Sequence, residues 1–370
     1  NSVLRLPPLT LLGKSSYSLY LWHWPLFVFA LRCGYTDTVL SCSIVILVIL
    51  IFTALSYIFT EKRKVDYKVT ISLFLLCAVS YFYFHHVDGK NYLADLVIEQ
   101  PSDKVLPKEY TPSVAFKKGN EIVWHYGLQT ETPKIFFVGD SNLGHYLWYL
   151  RNINKTPLYV LTHSAMMSYG QQLTELKTIF FNSLEEKNNF YNLYKSTLDK
   201  LQNGDKVVIC GRWEVLYKTF RDDKKLPEND NTFNNYLSVV ISDLKEQALL
   251  HPNLRFYIVG NCYKPTINQV ILAKLARSGI FIFDAVMNYR SLEKNKNYKD
   301  KETVLINRKL EEMANAIPNI TFVDRNIPLI TNNGFMLSVD NTGIFDDQIH
   351  FTKVGGAFVG KYILEYVLNN

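Results

Sequence analysis

The chain has little cysteine, only five residues in 370, which excludes a small disulfide-stapled scaffold. Glycine and proline are also few, at 17 and 13 residues, which excludes a collagen-like chain and most low-complexity disorder. The sequence contains neither His-Glu-x-x-His nor Cys-x-x-Cys, and it lacks a phosphate-cradling glycine-rich loop. We therefore expect no metal site and no cofactor bound by this chain.

Charge is distributed very unevenly along the chain. Residues 1–88 hold 11 charged side chains and residues 89–370 hold 63. The net charge of +6 divides about equally between the two parts, so no basic patch predicts nucleic-acid binding. The first part is expected to lie in a lipid bilayer and the second in water. Because residue 1 is Asn, we expect a fragment or processed piece of a longer protein.

Three charge-free segments predict transmembrane helices, because about 20 apolar residues cross the hydrocarbon core. They are Ser15–Leu31, Val39–Thr60 and Val69–Val87. The loop 61–68 carries four basic residues, so the positive-inside rule places it in the cytoplasm. Everything after about residue 88 then lies on the non-cytoplasmic side.

The first span contains His23 between two tryptophans, with Pro25 following. A histidine in a span has two interpretations. It belongs to a functional site, where it contacts substrate or an interface, or it forms a structural hydrogen bond within a helix bundle. The run from Gly13 to Leu26 resembles a late transmembrane segment of the acyltransferase-3 family, whose members O-acylate surface carbohydrates. The resemblance implies that the earlier helices, which take the acyl group from a donor such as acetyl-CoA, precede this chain.

The remainder divides into a connector and a catalytic domain. Residues 89–133 contain four prolines and are expected to form a linker, and residues 134–370 to form the domain. Hydrophobic runs predict strands at Lys134–Val138, Leu158–Thr162, Lys206–Cys210, Arg255–Val259, Ile280–Phe283 and Ile320–Val323. Helical patterns lie near 142–152, 184–202, 231–249, 266–277, 301–316 and 353–368. Alternating strands and helices predict a doubly wound α/β fold with a parallel sheet.

The first predicted strand of the domain ends in Gly139-Asp140-Ser141, at the carboxyl edge where open α/β sheets bind ligands. Ser141 is therefore a candidate nucleophile whose own amide could stabilise an oxyanion. Alternatively, Asp140 or Ser141 simply caps the following helix.

Near the end of the chain, Asp347 and His350 stand three residues apart. A serine nucleophile needs a base, and the base needs a carboxylate that fixes its tautomer. Asp-x-x-His can supply both, although a surface histidine beside a capping aspartate is a simpler interpretation of this string alone.

Together the two strings resemble the SGNH hydrolase family over about residues 134–370. The resemblance implies a three-layer α/β/α sandwich with Ser141 as nucleophile, His350 as general base and acid, and Asp347 as its orienting partner. It also implies an oxyanion hole formed by the amides of Ser141 and Ala165. The family's Asn donor is absent, and Gly211 or Arg212 are candidates in its place. Asn142 and Trp213 are candidate substrate or interface residues.

These features predict an O-acyltransferase, and more specifically an O-acetyltransferase, of the bacterial inner membrane with a periplasmic domain. It would modify hydroxyls of a cell-surface polysaccharide such as lipopolysaccharide O-antigen through an acyl-Ser141 intermediate. The expected partners are the polysaccharide, the bilayer and the missing N-terminal helices, and no nucleic acid. A membrane-tethered esterase and a catalytically degenerate glycan-binding module are the alternatives. Whether Cys210 and Cys262 are bonded is left open.

Overall fold

The computed structural model describes residues 10, 13–32, 39–62, 75, 107–163, 183–265, 299–332, 334–339 and 342–370. The chain forms two compact units, one containing residues 1–98 and the other containing residues 99–266 and 290–370. Three predicted elements lie outside the described residues: the helix 266–277, the strand 280–283 and the third span, of which only Leu75 is described.

The described part of the first unit contains two helices, α1 (Ser16–Arg32) and α2 (Val39–Ser56), and a π-helical turn follows α2 at Tyr57–Glu61. Val45 and Ile49 of α2 pack with Ala30 of α1 in a small apolar cluster. Most other large side chains of α2 are exposed.

The number of predicted spans needs correction. Among the described residues, only Val39–Phe59 is long and apolar enough to cross a membrane. The first predicted span is helical for 17 residues with Pro25 inside it. At 1.5 Å per residue that helix is about 26 Å long, which is slightly less than the hydrocarbon thickness.

A seven-stranded mixed sheet forms the framework of the second unit, in the order β1-β2-β4-β3-β5-β6-β7. Strands β3 to β7 are mutually parallel where they pair, and β1 and β2 are antiparallel to their neighbours. The strands are β1 (Ser113–Lys118), β2 (Glu121–Tyr126), β3 (Ile135–Gly139), β4 (Leu158–Thr162), β5 (Lys206–Cys210), β6 (Arg255–Val259) and β7 (Ile320–Val323).

The hairpin β1–β2 lies within the predicted linker and makes the sheet mixed rather than purely parallel. Its register runs from Ser113 opposite His125 to Lys118 opposite Glu121, and Gly119 turns the chain with a φ of 60°. β2 pairs with β4 through Trp124 and Val160. The hairpin thus extends the sheet beyond β4, and the domain includes residues that were predicted to be a connector.

Helices flank this sheet. They are α3 (Ser141–Gly144), α4 (Leu147–Asn152), α5 (Leu184–Leu198), α6 (Tyr217–Asp223), α7 (Asp230–Leu250), α8 (Lys301–Ala316) and α9 (Lys353–Asn369). Two short antiparallel ribbons lie between β7 and α9: β8 (Ile330–Thr331) with β9 (Gly334–Phe335), and β10 (Ser338–Val339) with β11 (Thr342–Gly343).

Alternation along the central strands gives each face its own apolar surface. On one face, Phe136, Val207 and Ile258 join a large core that also contains buried residues of α5, α7 and α8. Phe137, Val208 and Tyr257 alternate with them and are equally buried. Because both faces are covered, the parallel strands are continuous hydrophobic runs.

The strand order places a topological switch next to the candidate nucleophile. β3 is the first parallel strand of the chain, and its neighbours β4 and β5 lie on opposite sides of it. Ligands of open α/β sheets bind at the carboxyl ends of the strands at such a point. Gly139 pairs with Cys210 there, so the segments that follow β3 and β5 meet at this edge.

Candidate active site

The turn that carries Ser141 is fixed by the residues on either side of it. A side chain at Gly139 would place its Cβ 1.9 Å from the Cys210 carbonyl oxygen, so only glycine allows this close approach. Asp140 caps α3, because its Oδ1 accepts a hydrogen bond from the Asn142 amide at 2.8 Å. Ser141 is thus the first residue of α3 and is half-buried. The capping interpretation holds for Asp140 and is compatible with a nucleophilic Ser141.

Asp140 also connects the ends of β3 and β5. Its Oδ2 accepts a hydrogen bond from the Arg212 backbone amide at 2.8 Å. The carboxyl is fully buried, and burial raises its pKa to about 6, although the two amides and the Arg325 guanidinium act in the opposite direction. A buried carboxylate that accepts two backbone amides holds both loops in a fixed relation.

This contact changes the assignment of the oxyanion candidates. The Arg212 amide donates to Asp140, so it is not available to an oxyanion in this arrangement, and Arg212 could contribute only through its side chain. Gly211 is buried at the same strand end and stays a candidate, as does the amide of Ser141. Ala165 lies outside the described residues.

The predicted base and its orienting carboxylate are in contact. His350 Nδ1 lies 2.7 Å from Asp347 Oδ2, and Asp347 Oδ1 accepts the amides of Ile349 and His350 at 2.7 Å each. Burial alone would raise the pKa of the Asp347 carboxyl, but these hydrogen bonds bring it below its ordinary value. Since Nδ1 is engaged, Nε2 is the imidazole atom that can accept a proton from a hydroxyl.

His145 brings the nucleophile turn and the Asp347–His350 pair together. Its amide donates to the Ser141 carbonyl at 3.2 Å, and its ring meets the His350 ring edge-on, with centroids 5.1 Å apart. Burial lowers the pKa of His145 to about 3, and Arg325 and His350 lower it in the same direction. His145 is therefore neutral at physiological pH and packs against the base without competing for its proton.

Two glycines of the last helix make this approach possible. A Cβ on Gly355 would lie 2.1 Å from the Ile344 carbonyl oxygen, and one on Gly356 would lie 2.0 Å from the His145 carbonyl oxygen. α9 therefore rests directly on the backbone after Ser141 and on the backbone before Asp347. The sequence shows this glycine pair immediately after the Asp-x-x-His string.

A buried arginine forms hydrogen bonds to the segment that follows Ser141. Arg325 is 2% exposed, and its Nη1 donates to Asn142 Oδ1 at 2.9 Å and to the Tyr146 hydroxyl at 3.1 Å. Asn142, predicted as a substrate or interface residue, is itself buried and used in this contact. The sequence analysis missed Arg325, although its place two residues after β7 is the kind of strand-end position that predicted Ser141.

Glu214 is the centre of a second polar group at the same edge. Its carboxylate lies 2.9 Å from Arg212 Nε and 3.0 Å from Lys264 Nζ, and it accepts a hydrogen bond from Asn261 Nδ2 at 2.7 Å. Burial opposes ionisation of Glu214, but the two cations outweigh it and lower the pKa to about 2. Together with Asn142 and Arg325 these residues line a small cleft. Of this group, Arg212 was predicted as an oxyanion candidate, and Glu214, Asn261 and Lys264 were missed.

Two further candidates have other surroundings than predicted. Trp213 is fully buried in the core, and its Nε1 donates to the Val259 carbonyl at 2.8 Å, so it supports the fold and does not face a substrate. Cys210 and Cys262 are free thiols, and burial raises the pKa of both. His23 Nδ1 lies 2.9 Å from the Tyr20 carbonyl oxygen within α1.

Ser141 lies at the carboxyl edge of a largely parallel sheet, and His145 connects its turn to the Asp347–His350 pair. This arrangement is typical of the SGNH class of acyl-transferring and hydrolytic enzymes. Residues 110–365 match the family described as SGNH domain (fused to AT3 domains), and the chain belongs to that family. This match begins before β1 and so includes the hairpin. The acyltransferase-3 part itself is not matched in this chain.

Two solved structures are similar to this chain at low sequence identity. One is a protein described as a candidate platelet activating factor from Streptococcus pneumonia, at 17% identity and a TM-score of 0.36, covering 65% of this chain and 86% of that one. Another is the periplasmic domain of a lipopolysaccharide acetyltransferase from Salmonella ser. Paratyphi A, at 14% identity and a TM-score of 0.39, covering 64% and 84%. A search of the curated proteins finds no match.

Proposed function

We propose that this protein is a membrane O-acyltransferase that transfers an acyl group, in the first place acetyl, to hydroxyls of a cell-surface polysaccharide such as lipopolysaccharide O-antigen. The observation that carries the proposal is the 2.7 Å bond between His350 Nδ1 and Asp347 Oδ2, next to the turn of Ser141, in a domain of a family described as fused to AT3 domains. The proposed site of action is the periplasmic face of the bacterial inner membrane.

In the first half-reaction, Ser141 Oγ attacks the carbonyl carbon of the acyl donor while His350 Nε2 removes the hydroxyl proton. The carbonyl oxygen becomes an oxyanion in the tetrahedral intermediate. The bond to the leaving group then breaks, and His350 returns its proton to that group. Asp347 stabilises the imidazolium that forms in between. The product is an acyl ester on Ser141.

In the second half-reaction, a sugar hydroxyl attacks the ester carbonyl, and His350 takes the proton of that hydroxyl. Collapse of the second intermediate releases the acylated sugar and returns the proton to Ser141. Transfer requires that the sugar hydroxyl reaches the ester more often than water does. The cleft beside Asn142 is lined by the ionic side chains of Arg212, Glu214 and Lys264, whose donors and acceptors suit the hydroxyl-rich surface of a glycan.

We further propose that membrane helices preceding this chain supply the acyl group from a cytoplasmic donor such as acetyl-CoA. The resemblance of residues 13–26 to an acyltransferase-3 segment supports this arrangement. The apolar helix Val39–Phe59 suits a protein whose donor and acceptor lie on opposite sides of a bilayer.

The test is acylation of the glycan in a host that carries the full-length protein. The Ser141→Ala variant is expected to abolish O-acyl groups on the polysaccharide, measured by mass spectrometry of the isolated glycan. The control is Ser238→Ala, which changes an exposed hydroxyl on α7 and should leave acylation intact. Acylation that persists with Ser141→Ala would contradict the proposal. If the polysaccharide carries fewer acyl groups in the host with the native protein than in the host without it, the protein is an esterase instead.

A further inference from the structure

A group of three ionisable side chains at β2, β4 and α5 includes none of the predicted catalytic residues. Glu121 begins β2, His163 follows β4, and Glu186 lies in the first turn of α5. His163 Nε2 is 3.5 Å from Glu186 Oε1 and 3.9 Å from Glu121 Oε1. One ligand atom from each of the three residues lies within 4.8 Å of the other two.

The group is shielded from water. The side chains of Glu121, His163 and Glu186 are 7%, 13% and 19% exposed, and the ring of Phe190 packs edge-on against His163 at 6.1 Å. Two adjacent, largely buried carboxylates are costly unless a positive charge lies between them.

The spacing of the ligand atoms fits a metal ion better than it fits direct ion pairs. A charge-assisted hydrogen bond from imidazole to carboxylate is about 2.7–2.9 Å long, shorter than either observed distance. Tetrahedral zinc with bonds of about 2.0–2.1 Å places neighbouring ligand atoms about 3.3 Å apart. At 3.5 and 3.9 Å, the two observed separations exceed this value by about 0.2 and 0.6 Å, which side-chain rotations can close.

We propose that Glu121, His163 and Glu186 bind one divalent transition-metal ion, with zinc favoured. An imidazole suits zinc, and the two carboxylates neutralise its charge. Three protein ligands leave a fourth position for water or a ligand from outside, as in zinc sites of the open type. These three residues form no sequence motif, because they are far apart along the chain. The packing of β2, β4 and α5 brings them together.

The proposed site is attached to the nucleophile turn through the backbone. The His163 amide donates to the Gly139 carbonyl at 3.2 Å, and the Thr162 hydroxyl donates to the Asp140 carbonyl at 3.2 Å. A metal ion at His163 would therefore hold the hairpin, the end of β4 and α5 together next to Ser141.

The test uses the full 370-residue chain in detergent, treated with a chelator, dialysed and then titrated with zinc alone. We expect one zinc per chain and a higher melting temperature with zinc. Glu186→Gln should weaken zinc binding by more than the roughly 10–100-fold that the loss of an outer-shell partner costs. The matched control is Glu185→Gln, which removes the same charge from the same helical turn at an exposed neighbour.

Absence of stoichiometric zinc binding to the native chain would overturn the proposal, as would equal affinity in the Glu186→Gln and Glu185→Gln variants. If Glu186→Gln does not fold, titration of the native chain with Co²⁺ decides. The intense visible absorption of four-coordinate cobalt would support the site, and the weak spectrum of the hydrated ion would contradict it. If the spectrum is that of the hydrated ion, His163 lies between Glu121 and Glu186 without a metal.

Discussion

Arg325 provides a sharp test of how the nucleophile turn is held, because its hydrogen bonds within the described part of the chain go to Asn142 and Tyr146 and not to a predicted catalytic residue. Its guanidinium is buried and donates to Asn142 and Tyr146, and its charge stabilises ionised Asp140. Arg325→Met keeps an unbranched side chain and removes the charge and both hydrogen bonds. We expect Asn142 and Asp140 to lose their support together.

The magnitude follows from what is removed. Each hydrogen bond from a charged donor contributes about 1.5–3 kcal/mol, and removing one partner of a buried charge group costs about 3–5 kcal/mol. Methionine needs no desolvation, which offsets part of the loss. We therefore expect the free energy of unfolding to fall by about 3–5 kcal/mol.

The loss should also depend on pH in a defined direction. The pKa of Asp140 in the folded protein is about 6, above its ordinary value of 3.8. A raised carboxyl pKa means that the folded state binds the proton more tightly than the unfolded state, so stability falls as pH rises through this range. Without Arg325 the pKa of Asp140 rises further. The deficit of the variant should therefore be larger at pH 8 than at pH 5.

The assay is denaturant unfolding of the full chain in detergent, followed by tryptophan fluorescence at both pH values. The control is Arg255→Met, which removes an exposed guanidinium whose Nη1 donates to the Asn370 carbonyl at 2.8 Å, and should change stability by about 0.5 kcal/mol or less. A deficit below about 1 kcal/mol for Arg325→Met, or one that shrinks as pH rises, would refute this reasoning.

Three further predictions concern the neighbouring contacts. Glu214→Gln should lower the free energy of unfolding by about 2–3 kcal/mol at pH 7, because the pKa of Glu214 is lowered to about 2. The difference in stability between the native protein and this variant should vanish as pH falls to about 2. A difference that stays constant with pH would contradict this expectation. Gly356→Ala should destabilise by at least about 1–3 kcal/mol, because its Cβ would meet the His145 carbonyl oxygen, whereas Gly144→Ala, which has open space, should have no such cost in thermal unfolding. Asp347→Asn should reduce turnover of a chromogenic acetyl ester by about 10³–10⁴-fold through loss of the correct His350 tautomer, and Asp346→Asn, which changes an exposed neighbour, should retain activity; equal rates would argue against an orienting role.

The sequence predicted the central strands well because they are buried on both faces. The predicted bounds of β4, β5, β6 and β7 agree with the structure, and β3 is displaced by one residue. A short apolar run of this kind is distinguished from a buried helix by its length and by the glycine, proline and polar residues that flank it. The hairpin β1–β2 was missed because its outer strand is mostly exposed and ends in two lysines, so its hydrophobic signal is weak.

The candidate site was predictable where its chemistry is local in sequence. Asp347 and His350 share one turn, so their spacing alone predicts their contact. Arg325 and Glu214 could not be assigned in this way, because Asn142 and Lys264 lie in segments that follow other strands, and only the strand order brings these residues together. The misassignment of Trp213 has a related cause, since its position after β5 resembles a strand-end site but its side chain turns into the core.

The most direct test of the central claim is the intact mass of the full chain after incubation with a chromogenic acetyl ester. We predict a mass increase of one acetyl group on the native protein, located by peptide mapping to Ser141, and no increase with Ser141→Ala. Ester turnover should disappear with the same substitution. An adduct at another residue, or equal turnover by native protein and Ser141→Ala, would contradict the claim that Ser141 is the nucleophile.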